Sequence, residues 1–135
     1  MSKGSMPVLV GVGQSLSQWD GSTGAEGAPS PLSLARDASQ RALEDAGITA
    51  EVIDTVTFVR IFEDSIAAAP HPHGHNTNLP GTLARDLGAS PERLIYSDVG
   101  GQSPQALANE MAARIYAGEV DVALVAGSEA NRASK

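Results

Sequence analysis

The sequence contains no cysteine. This absence excludes disulfide bonds and thiolate metal sites. A chain without cysteine is compatible with a reducing compartment.

Basic residues and long apolar runs are also scarce. Nine lysine and arginine residues face sixteen aspartate and glutamate residues, which gives a formal net charge of −7. Such a surface argues against nucleic acid as a partner. The sequence has no apolar run long enough to span a membrane and no secretory signal, so we expect no membrane partner and a cytoplasmic location.

Aromatic residues make up only 4% of the chain. Alanine and glycine are frequent instead, which favours close packing of helices with small side chains on a sheet. A chain of 135 residues has room for one domain with a moderate core. We exclude residues 1–6 from the fold as a native leader or an expression scar and expect one structural unit over residues 7–135.

The first half of the chain has a β-α-β pattern. Val8, Leu9, Val10 and Val12 predict a first buried strand. A helical pattern begins at Ser33 and ends at Gly47. The apolar residues between Ile53 and Ile61 predict a second strand. A right-handed crossover would make the two strands parallel.

The second half repeats the alternation. A helix is predicted to open at Asn78-Leu79-Pro80 and to end at Gly88. Two apolar runs, 94–99 and 120–126, resemble buried parallel strands. Between them, Ser103 is predicted to be the N-cap and Pro104 the first residue of a helix that stops at Gly118. The order predicts an α/β fold with a mostly parallel sheet and helices on both faces.

The turn between the third strand and the third helix is the strongest candidate site. It comprises Gly100, Gly101, Gln102 and Ser103. Unpaired N–H groups and the helix dipole at such a turn favour an anion or a developing oxyanion. The alternative is that two glycines simply make a tight connection. Ser103 is better explained as a helix cap than as a nucleophile.

All three histidines, His71, His73 and His75, lie in one irregular segment. Imidazoles on alternate residues could bind zinc, copper or nickel. Proline and glycine between and around them make the geometry irregular, and no cysteine assists. We therefore expect no metal site, with these histidines as the only alternative.

Three stretches of the sequence resemble a known family. Ala106–Glu110 and Ala117–Glu129 are similar to the thiolase superfamily, as is the opening stretch Pro7–Gln14. The similarity is greatest to sterol-carrier-type thiolases and thiolase-like proteins, and it covers the amino-terminal half of their architecture. It implies a thiolase-like half-domain over residues 7–135, which is a fragment or one part of a split protein. It also implies that Gly100 occupies the position of the nucleophilic cysteine.

Two functions follow from this resemblance. The first is that of an acyl-CoA acyltransferase-family protein of lipid metabolism that handles a CoA ester without a covalent cysteine. The alternative is a catalytically inactive subunit that pairs with a separate carboxyl-terminal half or with itself as a homo-oligomer. The resemblance implies no tightly bound cofactor, with a CoA thioester as substrate or ligand.

Overall fold

The computed structural model describes residues 5–17, 29–65 and 78–130. Its sheet has three strands, which we name β1 (Thr55–Phe58), β2 (Arg93–Tyr96) and β3 (Ala123–Ala126). Within the described residues the sheet order is β2-β1-β3, and both strand pairs are parallel. The predicted parallel α/β arrangement is confirmed.

The central strand β1 is buried along its whole length. Each of its four residues exposes at most 1% of its surface. Val56 and Phe58 point into the main core on one face, whereas Thr55 and Thr57 alternate with them and face the other side. The buried hydroxyl of Thr57 donates a hydrogen bond of 3.1 Å to the Leu124 carbonyl of β3. The buried hydroxyl of Thr57 therefore has a hydrogen-bond partner.

Three α-helices pack on this sheet. They are α1 (Pro31–Ala46), α2 (Leu79–Leu87) and α3 (Ser103–Tyr116). Helices α1 and α2 contact each other and share one core with the sheet, whereas α3 packs on β3 with residues outside that core. Helices thus lie on both faces of the sheet, as predicted. The core shared by α1, α2 and the sheet comprises Ala35, Leu43, Ala50, Ile53, Val56, Phe58, Ile61, Leu79, Leu83, Ala84, Leu87, Ala89 and Ala126.

Most helix ends lie where the sequence predicts them. Helix α1 is followed by Gly47 and α2 by Gly88, and Asn78 caps α2 by accepting a hydrogen bond from the Gly81 N–H. Helix α1 begins at Pro31, two residues before the predicted Ser33. The reason is a reciprocal capping box in which the Ser30 and Ser33 side chains each accept from the other's backbone N–H.

The first predicted strand is wrong. Residues 5–17 form no strand, and the side chains of Val8, Leu9, Val10 and Val12 are exposed. This segment packs instead against α1. A Cβ at Gly11 or Gly13 would collide with carbonyl oxygens of α1, so only glycine allows this approach. The Val12 N–H then donates to the Asp45 carboxylate at 2.9 Å, a hydrogen bond that does not involve a neighbouring strand.

The two outer strands are less buried than predicted. In the described residues β2 and β3 are the sheet edges, so each pairs on one side only. Leu94 and Val125 consequently expose 44% and 38% of their surface. Val120, predicted within the last strand, precedes it and is fully buried. No helix in the described ranges is long and apolar enough to cross a membrane.

The position of Leu83 leads to a stability prediction. This α2 side chain is completely buried in the core, whereas Leu94 on β2 is half-exposed. Leu83→Ala should lower the free energy of unfolding by about 2–5 kcal/mol, because it removes buried methyl groups and leaves a cavity. Leu94→Ala is the matched control and should cost about 1 kcal/mol or less. Urea denaturation followed by circular dichroism measures both, and equal losses would contradict this packing.

Candidate functional site

The glycine turn joins the carboxyl end of β2 to the amino end of α3. Ser103 is the first residue of α3 and is buried, so the prediction that it is the N-cap is wrong. Its hydroxyl donates to the Asp98 carbonyl at 2.8 Å, and its N–H donates to the Gly100 carbonyl at 3.1 Å. Gln102 occupies the cap position without a side-chain cap, and Pro104 is the second helical residue.

Gly100 has a backbone conformation that other residues avoid. Its φ is 141°, and a Cβ built on it would lie 2.6 Å from the Gln102 side-chain oxygen. A larger residue here would be strained and would have to displace the Gln102 amide. The backbone of this turn therefore suits the glycine found in the sequence.

The turn leaves hydrogen-bond donors exposed. The N–H groups of Gly101 and Gln102 have no partner among the described residues, whereas the N–H of Ser103 is engaged. Both free groups lie beside the amino end of a helix of fourteen residues. Their position is compatible with the predicted role of the turn in binding an anion or oxyanion, which stays a prediction.

A second group of polar residues lies at the carboxyl ends of β1 and β2. The Tyr96 hydroxyl donates to the Asp64 carboxylate at 2.5 Å and accepts from the Ile61 N–H at 3.1 Å. Burial, followed by the hydrogen bond to Asp64, raises the pKa of Tyr96 well above its ordinary value. Tyr96 is therefore a neutral hydrogen-bond donor that holds the 3₁₀ turn Phe62–Ser65 against the sheet.

Arg60 follows β1 and stacks on the same tyrosine. Its guanidinium carbon lies 4.7 Å from the centre of the Tyr96 ring. One guanidinium N–H donates to the Asp64 carbonyl at 3.3 Å, and the Arg60 backbone N–H donates to the Ser97 hydroxyl. These contacts fix the position of the positive charge.

Glu129 follows β3 and faces the 3₁₀ turn. Its carboxylate accepts a hydrogen bond of 2.7 Å from the Phe62 N–H. Burial raises the pKa of Glu129, and the negative charges of Glu63 and Asp64 raise it further, although the hydrogen bond from Phe62 opposes them.

Arg60 and Glu129 both line an open cavity of about 420 Å³. It lies at the carboxyl ends of β1 and β3 and reaches Pro104 at the start of α3, directly after the glycine turn. Arg60 and Glu129 contribute its charged groups. Ligands of parallel α/β sheets bind at this end of the strands. The cavity is lined by Val59, Arg60, Pro104, Val125, Ala126, Gly127, Ser128 and Glu129.

The sequence did not identify this cavity. Arg60, Tyr96 and Glu129 were not predicted as site residues, because they are separated by more than thirty positions along the chain and the sheet brings them together. The available signal was their position, since each lies at or just after the end of a predicted strand. His71, His73 and His75 lie outside the described residues, and the described ranges contain no cluster of three metal-ligating side chains.

Comparison with solved structures identifies the architecture. The chain is similar to a monomeric SCP2-thiolase-like protein type 1 from Mycobacterium smegmatis, with 36% identity and a TM-score of 0.73 over 96% of this chain and 24% of that one. The chain has a thiolase-like fold. Neither the protein-family models nor the curated proteins searched gave a match.

Two more distant structures share the thiolase-like fold. The 3-oxoacyl-[acyl-carrier-protein] synthase III of Aquifex aeolicus is 14% identical with a TM-score of 0.64, over 77% of this chain and 31% of that one. The priming β-ketosynthase of the R1128 polyketide pathway is 22% identical with a TM-score of 0.60, over 73% and 27% respectively. This thiolase-like chain thus spans about a quarter to a third of the length of these structures.

The raised proton affinity of Glu129 predicts a pH effect. A carboxyl whose folded-state pKa is raised above its ordinary 4.5 stabilises the fold when protonated, and this contribution is lost as pH rises through the folded-state value. Glu129→Gln stays neutral and can still accept from Phe62. The melting temperature of Glu129→Gln minus that of the wild type should therefore be larger at pH 7 than at pH 4, by on the order of 2 °C. The change is modest because solvent screens the charge.

The matched control is Glu51→Gln, which removes the charge of an exposed glutamate. Differential scanning fluorimetry between pH 4 and pH 8 measures these shifts. A difference between wild type and Glu129→Gln that is constant over this range would contradict the assignment.

Proposed function

We propose that this thiolase-like chain binds a CoA ester at the carboxyl end of its sheet and handles it without forming a covalent acyl-enzyme. The observation that carries the proposal is the backbone at Gly100. Its conformation favours glycine at the position where the family resemblance places the nucleophile. The neighbouring cavity supplies space for a ligand.

The free N–H groups of the turn support a non-covalent role. Gly101 and Gln102 can donate hydrogen bonds to a thioester oxygen, where they would stabilise negative charge that develops during carbon–carbon bond cleavage such as a retro-aldol reaction. Ser103 is a poor substitute nucleophile, because its hydroxyl is buried and donates to the Asp98 carbonyl. In the described structure, this bond to the loop before α3 is the only hydrogen bond that the Ser103 hydroxyl makes.

This proposal predicts no stable acyl adduct. Incubation with acetyl-CoA or acetoacetyl-CoA should leave the intact mass of the chain unchanged, because glycine cannot form a thioester. Ser103→Ala is the control and should behave as the wild type. Gly100→Cys should not restore thiolysis, since the conformation is strained and the family's other catalytic residues lie in its later half. A stoichiometric adduct on the wild type that Ser103→Ala abolishes would overturn the proposal.

A second candidate function is that of an inactive subunit that pairs with another chain. Its support is the exposed side of α3, where Tyr116 exposes 59% of its surface and the alanines at 106, 113 and 117 are exposed. Exposed small and aromatic side chains are typical of an interface, and the exposed Asn109 and Glu110 make this side partly polar. The relative described as monomeric is about four times longer, so its remaining chain could cover the equivalent face.

This second candidate predicts association of the 135-residue chain with itself or with a carboxyl-terminal half, as a cytoplasmic oligomer. Gel filtration coupled to light scattering at micromolar concentration should give a mass above 13.8 kDa. Ala113→Arg should reduce association by placing a charge on the exposed face, whereas Gln40→Arg on the exposed side of α1 should not. A folded monomer for the wild type would contradict self-association.

A further inference from the structure

The guanidinium of Arg60 is a positioned positive charge without a counter-ion among the described residues. It lines the cavity, lies over the Tyr96 ring and donates one weak hydrogen bond to a backbone carbonyl. No carboxylate in ranges 5–17, 29–65 and 78–130 forms an ion pair with it. By contrast, Arg114 on α3 pairs with both Glu110 and Glu119. Arg60 therefore retains N–H donors that no described residue uses.

The surroundings of Arg60 favour a planar anion. The contact with the tyrosine ring and the hydrogen bond to the Asp64 carbonyl restrict the Arg60 side chain, so binding of a bidentate partner would cost little further side-chain entropy. A carboxylate matches the two parallel N–H groups of a guanidinium. The nearby acidic groups accept hydrogen bonds from other donors. Asp64 accepts from the Tyr96 hydroxyl, and Glu129 accepts from the Phe62 N–H.

The cavity extends from this charge to the start of α3, next to the glycine turn. Pro104, directly after the glycine turn, and Arg60, at the end of β1, line the same space. Its volume of about 420 Å³ is in the range of small-molecule sites, and the wall between them is formed by small or apolar residues such as Val59, Ala126 and Gly127. A short acyl chain with its thioester at the turn would extend along this wall toward Arg60.

We propose that Arg60 binds a carboxylate at the far end of the acyl group, so that the ligand is the CoA thioester of a short dicarboxylic acid. This assignment rests on the proposed binding of a CoA ester. Glu129, which lines the same cavity, and the nearby Glu63 and Asp64 repel the ligand's carboxylate, so its binding depends on direct contact with Arg60.

The test compares two thioesters that differ only in this carboxylate. Isothermal titration of the 135-residue chain with succinyl-CoA and with butanoyl-CoA should show at least tenfold tighter binding of succinyl-CoA, a ratio expected of a charge-assisted bidentate contact. Arg60→Met keeps a side chain that can pack on Tyr96 and should reduce the ratio to about one. Arg60→Lys should leave an intermediate ratio, because an ammonium cannot bind bidentately.

One control excludes an effect of net charge. Arg85→Met removes an exposed arginine on α2 and should keep the full ratio. Equal binding of the two thioesters by the wild type, or an unchanged ratio in Arg60→Met, would overturn the carboxylate assignment while leaving the proposed function intact. Failure of the wild type to bind either thioester would overturn both the carboxylate assignment and the proposed function.

Discussion

The burial of strand β1 on both faces is the constraint on which the rest of the structure depends. A strand with at most 1% exposure at every residue needs a neighbour on each edge and a layer on each face. Strands β2 and β3 supply the edges, and the helices supply the layers. Because both pairs are parallel and in register, Phe58, Tyr96 and Ala126 end side by side.

This common end of the strands creates the candidate site. After β1 the chain passes through Arg60, and after β3 it passes through Glu129. After β2 it enters the loop that leads to Gly100. A neutral tyrosine holds the 3₁₀ turn after β1, and the Phe62 N–H ties the same turn to Glu129. Hydrogen bonds between residues more than thirty positions apart thus shape a cavity with one positive and one negative group.

The glycine turn and the cavity both support the proposed function. A turn that favours glycine at position 100 has no side chain that could attack an acyl group, and its N–H groups at Gly101 and Gln102 are unused by the described residues. The polar groups of the cavity are suited to orienting a ligand. The proposed recognition of a ligand without covalent attachment would use both features.

The sequence predicted the elements whose signals are local. Gly47, Gly88 and Gly118 end helices as expected, and the parallel strand order follows from the β-α-β alternation. The first strand failed because Val8–Val12 has an apolar pattern typical of a strand, while the close approach of Gly11 and Gly13 to α1 depends on tertiary packing.

The site was predictable only in part, for a similar reason. The glycine turn is visible as a motif between a strand and a helix. Ser103 has the residue type of an N-cap, but its hydroxyl binds the Asp98 carbonyl, a contact that depends on the path of the preceding loop. The stacking of Arg60 on Tyr96 needs the register of two strands, which no local pattern specifies.

The most direct test of the central claim is to locate a bound CoA ester on the chain. In a titration of the ¹⁵N-labelled 135-residue chain with acetyl-CoA, amide resonances should shift at Gly101, Gln102 and the stretch 127–129, with smaller changes on the exposed side of α1. Saturable shifts confined to this end of the sheet are the predicted result. Shifts that are absent at millimolar acetyl-CoA, or that cluster away from the carboxyl ends of the strands, would contradict the account.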